Sequence, residues 1–394
     1  MKAIILASGE GSRLRPLTDT TPKPLIKILW KPVIEYNLEI IQNLVEECII
    51  VVKYKHEMFP EYFWDIYGNM KISYHIQWEK IWTGAAISEI TDIKSSEHIL
   101  ILYGDSIYPE AALKKLIEKK QYWCLVREVE NPEIYWIFQE KNGKAINIVE
   151  KPPKYIWNLA NMWGFLVCGE LIDMCAKIEI SERWEYEITD AIQIFVKKYD
   201  FYLQRLQEQI LDIWYAWNLL DANKHYLEAI KTHKINGTIQ DNVYIDWNII
   251  LETWAIIKSW TYIEWNCYFG KNSVIWPNAY VRWNTSVWEN SKIWFSVEVK
   301  NSYIWDNSKI PHLSYLWDSI VGNNVNLWWG FKVANLRHDG RNIKSIVKWK
   351  LLDTWKRKFW CIIWDNVKTW INTQVYPGRV LETNSHTLPW EVIT

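Results

Sequence analysis

Leu6-Ala7-Ser8-Gly9-Glu10-Gly11-Ser12-Arg13-Leu14-Arg15-Pro16, followed by Pro22-Lys23-Pro24, is the stretch on which the reading of this chain turns. From Lys2 the chain runs through Ala3-Ile4-Ile5-Leu6 with no polar interruption, which predicts a buried strand. A turn with two glycines and small neighbours follows, and backbone N–H groups there can approach an anion closely because no Cβ stands in the way. Arg13, Arg15 and Lys23 surround the turn with fixed positive charge, so the stretch suits a polyphosphate. It is not a Walker A loop, which ends in Gly-Lys-Ser/Thr, and it lacks the third glycine of the dinucleotide fingerprint.

The chain has 394 residues, which favours two domains, and 49% of them are apolar. Lys+Arg 45 against Asp+Glu 46 gives net charge -1, so nucleic acid and anionic membrane are not indicated as partners. No apolar run approaches the ~20 residues of a membrane span. Cys48, Cys124, Cys168, Cys175, Cys267 and Cys361 form no CxxC pair and read as reduced thiols of a cytoplasmic protein.

Beyond the loop, strands are expected at 48–52, 72–76, 99–103 and 122–129, alternating with helices at 31–47, 56–67, 83–93 and 109–120. This is the alternation of a mainly parallel, doubly covered α/β sheet. Further strands near 134–139, 144–149 and 161–167 and helices near 187–199 and 217–231 complete a domain over 1–232. In such sheets ligands sit at the carboxyl ends of the strands. Asp105 directly follows one strand and Asp212 follows Ile210-Leu211. Magnesium takes one or two carboxylates together with phosphate oxygens and water, and two aspartates from distant segments suit it.

After a linker at 233–244 the period changes. Ile245, Leu251, Ile257, Ile263, Phe269, Ile275, Val281, Val287, Ile293 and Val299 recur every six residues. After a one-residue slip Ile304, Ile310 and Leu316 continue, and after another Val321, Leu327 and Val333. Neither a helix nor a hairpin has period six; a hexapeptide β-helix does, with the aliphatic pointing inward at each face. The second domain is therefore read as a β-helix over 245–394.

Together these motifs resemble the sugar-1-phosphate nucleotidylyltransferase family, which joins a nucleoside triphosphate to a sugar phosphate and releases pyrophosphate. The resemblance implies a Rossmann-like nucleotidyltransferase domain followed by a left-handed β-helix. It implies that Leu6, Ala7, Gly9, Gly11, Gln77, Thr83, Gly84, Tyr103 and Gly104 bind the nucleotide, with Gln77 reading a uracil or thymine edge of UTP or dTTP. Tyr103-Gly104-Asp105 looks like the family's Y-G-D motif, with Asp105 and Asp212 holding Mg²⁺. Arg13 and Lys23 stabilise phosphate charge. Glu150-Lys151-Pro152 resembles an E-K-P motif, placing Glu150 on sugar hydroxyls and Lys151 on the sugar phosphate, and Asn161 resembles the asparagine that holds the sugar.

Lys309-Ile310-Pro311-His312-Leu313-Ser314-Tyr315-Leu316 resembles the acetyltransferase half of the bifunctional N-acetylglucosamine-1-phosphate uridylyltransferase/glucosamine-1-phosphate acetyltransferases. The matching histidine there is a general base toward acetyl-CoA chemistry, a task for which imidazole is suited. By position, Arg282 and Lys300 would bind the sugar phosphate, and Tyr315, Asn326 and Asn335 would orient the substrate. Val333 to Gly340 looks closer to archaeal members. The resemblance implies a trimer or a multiple of it. The nearest rival is a single-activity nucleotidylyltransferase whose β-helix serves only assembly or regulation.

One feature of the composition is abnormal: 29 Trp and 14 Gly, where average usage gives roughly 28 glycines. In the repeats, Trp276, Trp288, Trp294, Trp305, Trp317 and Trp328 stand directly after the aliphatic, in the phase of Gly270 and Gly322. Trp30, Trp82, Trp136, Trp163 and Trp214 stand where the resembled family has glycine. This pattern suggests UGA codons that mean glycine, and it predicts poor folding of the chain as written.

Overall fold

The computed structural model describes residues 1–78, 83–180 and 186–394. Contacts divide it into two compact units. The first comprises 1–10, 22–26 and 32–212; the second comprises 11–21, 27–31 and 213–394.

The first unit is built on a ten-stranded sheet whose order is 136–141, 144–150, 201–205, 122–128, 159–168, 98–103, 2–7, 47–52, 70–76 and 66–67. The run from 98–103 to 70–76 is parallel, while 159–168 lies antiparallel to both of its neighbours, 98–103 and 122–128. Lys2–Ala7 is buried along almost its whole length. Its alternating side chains feed two separate cores: Ile4 and Leu6 pack on one face, Ala3, Ile5 and Ala7 on the other. The helices are shorter than the sequence suggests. Val33–Ile41 replaces the expected 31–47, because the next strand already begins at Glu47. Only Met58–Phe63 of 56–67 is helical, and it stops where Trp64 turns left-handed at φ +51°. Thr83–Ser88 is the described helix of 83–93.

The second unit carries three stacks of short parallel strands, one stack per face of a β-helix. Successive coils pair Ile257 with Ile275, Ile275 with Ile293 and Ile293 with Ile310. The hexad aliphatics from Leu251 to Leu327 form one continuous buried column. This is the hexapeptide β-helix expected from the period.

Three features depart from the sequence reading. Residues 233–244, expected as a linker, already form coil strands: Lys234–Ile235 pairs with Ile250–Leu251, and Thr238–Ile239 with Ile256–Ile257. The Asn218–Glu228 helix belongs with the β-helix unit, not with the sheet. The hexads continue past Val333 through Ile363, Val375, Leu381 and Ile393, after an excursion that contains the antiparallel hairpin Lys344–Val347/Lys350–Asp353.

Candidate active sites

In the first unit the ends of four parallel strands converge. Leu6 is in register with Tyr103, and the Gly104 N–H donates to the Leu6 carbonyl at 2.9 Å. A Cβ on Gly104 would lie 3.2 Å from both Leu6 O and Ile5 Cγ2, so the two strand ends can close together because residue 104 is glycine. The next strand end is tied in by the Gln77 N–H, which donates to Val52 O at 2.9 Å; Gln77 itself is buried. Leu6, Ala7, Gln77, Tyr103 and Gly104 thus share the carboxyl edge of the sheet, where ligands bind in open α/β folds.

Asp105 leaves that edge directly. Asp212 is brought to it by a two-residue antiparallel pair in which Asp212 lies opposite Ser106. The Ser106 hydroxyl lies 3.5 Å from Asp105 Oδ1 and 3.4 Å from Asp212 Oδ1. Lys23, buried on the short helical turn Lys23–Leu25, sets its Nζ 2.5 Å from Asp105 Oδ2. Two carboxylates on one hydroxyl, with one cation beside them, is a donor set that fits a hard divalent ion: magnesium needs only one or two protein carboxylates. No group of three or more His, Cys, Asp or Glu suited to a metal occurs among the described residues.

Tyr103 is partly buried, and burial pushes its phenol above the ordinary range while a hydrogen bond with Thr83 opposes the shift. Thr83 Oγ1 also accepts from the Ile188 N–H at 3.3 Å. The Gly84 N–H donates to Tyr186 O at 3.0 Å. Gly9 has open space where a side chain would be, and Gly11 takes φ +63°. Gly11 and Arg13 fall in the second unit; Arg13 is exposed there, its guanidinium carbon 5.6 Å from the centre of the Trp214 ring.

On the same sheet Glu150 ends a strand opposite Trp136, and Lys151, half-exposed, holds Nζ 3.7 Å from Glu150 Oε1. Asn161 is 1% exposed. Its Oδ1 accepts from the Trp163 N–H at 2.9 Å and from Cys124 Sγ at 3.4 Å, but its Nδ2 has no partner among the described residues. An unmet buried amide donor is expensive unless a ligand oxygen satisfies it.

In the second unit Arg282, Lys300 and Trp317 sit in register on three successive coils. Arg282 lies between Glu264 and Glu298, at 3.5 and 3.6 Å. Lys300 is 4% exposed, its Nζ 3.7 Å from the centre of the Trp283 ring and 4.3 Å from that of Trp317. Burial lowers the Lys300 pKa, while the nearby Asp318 carboxylate opposes the shift. Asp318 is itself pushed up by burial and pulled back by the Asn301 amide at 2.5 Å and by Lys300. Tyr315 pairs with Glu298 on the same sheet. His312 belongs to the turn leading into that sheet, its ring centre 5.3 Å from that of Trp294. Asn326 continues the neighbouring face by bridging Lys309 and Lys368, and Asn335 follows the Lys332–Val333 strand. The structure thus unites Arg282, Lys300 and Tyr315 on one face, and no described contact joins His312 to them.

Sequence reasoning missed Ser106 and Tyr108. Tyr108 Oη accepts from the Tyr103 N–H at 3.2 Å and donates to Trp163 O at 2.7 Å, which fixes the edge beside the carboxylates. Their only signal was proximity to Tyr103-Gly104-Asp105.

Set beside known proteins, residues 2–229 match the family described as Nucleotidyl transferase, and the chain belongs to that family. Its relatives extend over the β-helix as well. A protein of Methanocaldococcus jannaschii named "Bifunctional protein GlmU" is 38% identical over 98% of this chain and 92% of its own length. A "Bifunctional sugar-1-phosphate nucleotidylyltransferase/acetyltransferase" of Sulfurisphaera tokodaii is 37% identical over the whole chain and 97% of its own length. These full-length matches bear out the bifunctional reading of the sequence. Among solved structures, a UDP-glucose pyrophosphorylase complexed with UDP-glucose aligns with 58% of this chain and 99% of its own, with a TM-score of 0.53 at 21% identity. A putative glucose-1-phosphate thymidylyltransferase from Bacillus anthracis gives a TM-score of 0.52 at 22% identity, again over 58% of this chain and 96% of its own. These two likenesses concern the fold alone.

Proposed function

We propose that this enzyme transfers a nucleotidyl group from UTP or dTTP to a sugar-1-phosphate and acetylates an amino-sugar-1-phosphate from acetyl-CoA. In the first reaction a sugar-phosphate oxygen attacks the α-phosphorus, the bond to the β-phosphate bridging oxygen breaks, and pyrophosphate leaves. Lys23 offsets charge at the reacting phosphates, with Arg13 in the same role from the glycine turn. Lys151 positions the sugar phosphate, and Glu150 and Asn161 bind sugar hydroxyls. The nucleotide would lie along Leu6, Ala7, Gly9, Gly11, Gln77, Thr83, Gly84, Tyr103 and Gly104. Asp105 and Asp212 would hold Mg²⁺, which when bound supplies positive charge to phosphate oxygens. The observation that carries this reading is the meeting of Asp105 and Asp212 at one hydroxyl, beside Lys23, on the carboxyl edge of the sheet.

In the second reaction the sugar amine attacks the thioester carbonyl, His312 takes the amine proton, and the C–S bond breaks to release the CoA thiol. Arg282 and Lys300 hold the sugar phosphate, and Tyr315, Asn326 and Asn335 orient the substrate. Both reactions are read as cytoplasmic. No described helix is long and apolar enough to cross a membrane, and the six cysteines are buried free thiols. The β-helix supports assembly as a homotrimer or a multiple of it.

Two assays test the reading. Pyrophosphate release is followed with the four nucleoside triphosphates against a panel of sugar-1-phosphates; UTP or dTTP should be preferred. Thiol release is followed with glucosamine-1-phosphate and acetyl-CoA. Turnover in the first assay alone would leave the single-activity rival.

A further inference from the structure

We infer that glycine, not tryptophan, is the residue the ribosome places at Trp64, Trp163, Trp254, Trp260, Trp265, Trp283, Trp349, Trp355 and Trp390, because all nine hold left-handed backbone that the fold itself imposes. These φ values run from +44° to +68°. That region is open to glycine, tolerated by Asn and Asp, and uncommon for a bulky aromatic.

The β-helix supplies an internal control. Three residues after many of the inward positions the chain turns left-handed, and this phase holds Asn242, Asn272, Asn278, Asn284, Asn290, Asn307, Asn324, Asn366, Asn372 and Asn384, Gly330 and Gly378, Ser296 and Leu313, and Trp254, Trp260 and Trp390. Asn and Gly fill most of this phase, and Trp is the bulkiest side chain found in it. The exposed indoles of Trp254, Trp260 and Trp390 gain nothing from packing that would offset the strain.

Two further places repeat the observation independently. The Lys141–Lys144 hairpin turns on Asn142-Gly143 at φ +53° and +76°, the two-residue loop that needs positive φ at both positions. The Val347–Lys350 hairpin turns on Lys348-Trp349 at φ +49° and +63°, with Trp349 94% exposed. At Trp163 the pairing of 159–168 with 122–128 slips between Asn161 and Phe165, a bulge whose left-handed residue is characteristically glycine.

A second phase points the same way. Directly after the aliphatic, φ is not positive at Gly270 or Gly322, but a Cβ on Gly270 would lie 2.9 Å from Glu289 N, and one on Gly322 would lie 2.4 Å from Asp365 Oδ1. Trp276, Trp288 and Trp305 share that phase, and their buried indole N–H groups lack any partner among the described residues, as do those of Trp123, Trp360 and Trp364. Buried indoles normally find an acceptor.

The site gains from the change. The Trp163 ring lies 4.9 Å from that of Tyr103 and 6.5 Å from that of Trp136, beside the unpartnered Asn161 amide. Resting on the reading proposed above, this is sugar space, filled by an indole only in the chain as written.

The experiment has two arms that do not depend on activity. In the gene, the codons for these nine residues should be UGA, and peptide mass spectrometry of the protein from its native cells should read glycine at each. UGG codons, or tryptophan-bearing peptides covering 254–265 and 349–355, would overturn the inference. In the second arm, recombinant chains are compared by size exclusion and thermal unfolding. The chain with glycine at the nine positions should be monodisperse, with a single cooperative transition and a raised midpoint relative to the tryptophan chain. Equal or better behaviour of the tryptophan chain would count against it. If the glycine chain folds but fails to release pyrophosphate, the functional proposal fails and this inference stands.

Discussion

Asp105 and Asp212 each bring a carboxylate oxygen to within hydrogen-bonding reach of the Ser106 hydroxyl, at 3.5 and 3.4 Å. Two like charges converge there although one comes off a central strand and the other from a remote two-residue pair. Such an arrangement offers oxygen ligands from two remote segments to a single cation. Lys23 answers Asp105 in part, at 2.5 Å.

Asp105→Asn and Asp212→Asn should therefore each lower nucleotidyl transfer by about a hundredfold or more, while both variants remain folded. The double variant should lose little beyond the worse single one, because the two groups act on the same ion. Initial rates of pyrophosphate release at saturating magnesium, with acetyl transfer measured on the same samples, check this. Additive losses, or a parallel loss of acetyl transfer, would contradict a shared metal role.

His312→Ala should abolish acetyl transfer and leave nucleotidyl transfer near normal. Loss of a general base alone reduces rate by roughly a hundred- to ten-thousandfold. Following both products in one reaction separates the two sites, and equal loss of both would sink their independence. The turn carrying His312 stands at the entrance to the sheet that holds Arg282, Lys300 and Tyr315.

Asn161→Ala tests the sugar subsite. The Asn161 amide donor is unmet among the described residues, and its oxygen is already engaged by Trp163 and Cys124. Removal should raise KM for the sugar phosphate about tenfold or more and leave KM for the triphosphate little changed; because alanine also strips the acceptor from the Trp163 N–H and Cys124 Sγ, it should cost about 1–3 kcal/mol of stability. A fall in kcat with both KM values unchanged would argue against a binding role.

The hexads show why so much of the second unit is legible. An inward aliphatic every six residues is demanded by the coil geometry, so Ile275, Ile293 and Ile310 announce themselves without any knowledge of their partners. Asp105 is legible because it follows an apolar strand and a glycine whose missing side chain the packing requires. Ser106 is not, since nothing in a lone serine says that two acids will meet over it. The 344–353 hairpin is hidden by its own turn: Lys348-Trp349 lacks the Asn-Gly signature that Asn142-Gly143 displays at an equivalent bend. Lys234 to Ile239 looked like a linker because the first coil lacks a preceding neighbour, and most of its residues stay exposed.

That column also yields a stability prediction. Ile293 is wholly buried between Ile275 and Ile310. Ile293→Ala should destabilise the β-helix by about 2–5 kcal/mol, the lost burial plus the cavity left behind. In a stacked repeat the damage extends to both neighbouring coils. Urea unfolding followed by far-UV circular dichroism measures it; a loss well under 1 kcal/mol would show that the column is loosely packed.

Acid should reach the first unit partly through Glu47, which lies in register between Lys2 and Lys71 on adjacent strands. Its oxygens sit 3.1 Å from Lys2 Nζ and 2.9 Å from Lys71 Nζ. Burial raises its pKa, but the hydrogen bonds from Lys71 and Lys2 outweigh burial and hold the group below the ordinary 4.5. A folded-state pKa below the unfolded one means that the unfolded chain binds the proton first. The stabilisation is thus complete above about pH 5 and lost as pH falls through the lowered value. Lys71 is well exposed, so solvent screening limits the effect to about 1 kcal/mol or less. Glu47→Gln should accordingly lower the unfolding midpoint at pH 7, with the gap to the parent closing as pH falls toward 3. A gap that widened in acid would mean that Glu47 is held above its ordinary pKa, with burial winning over the two lysines.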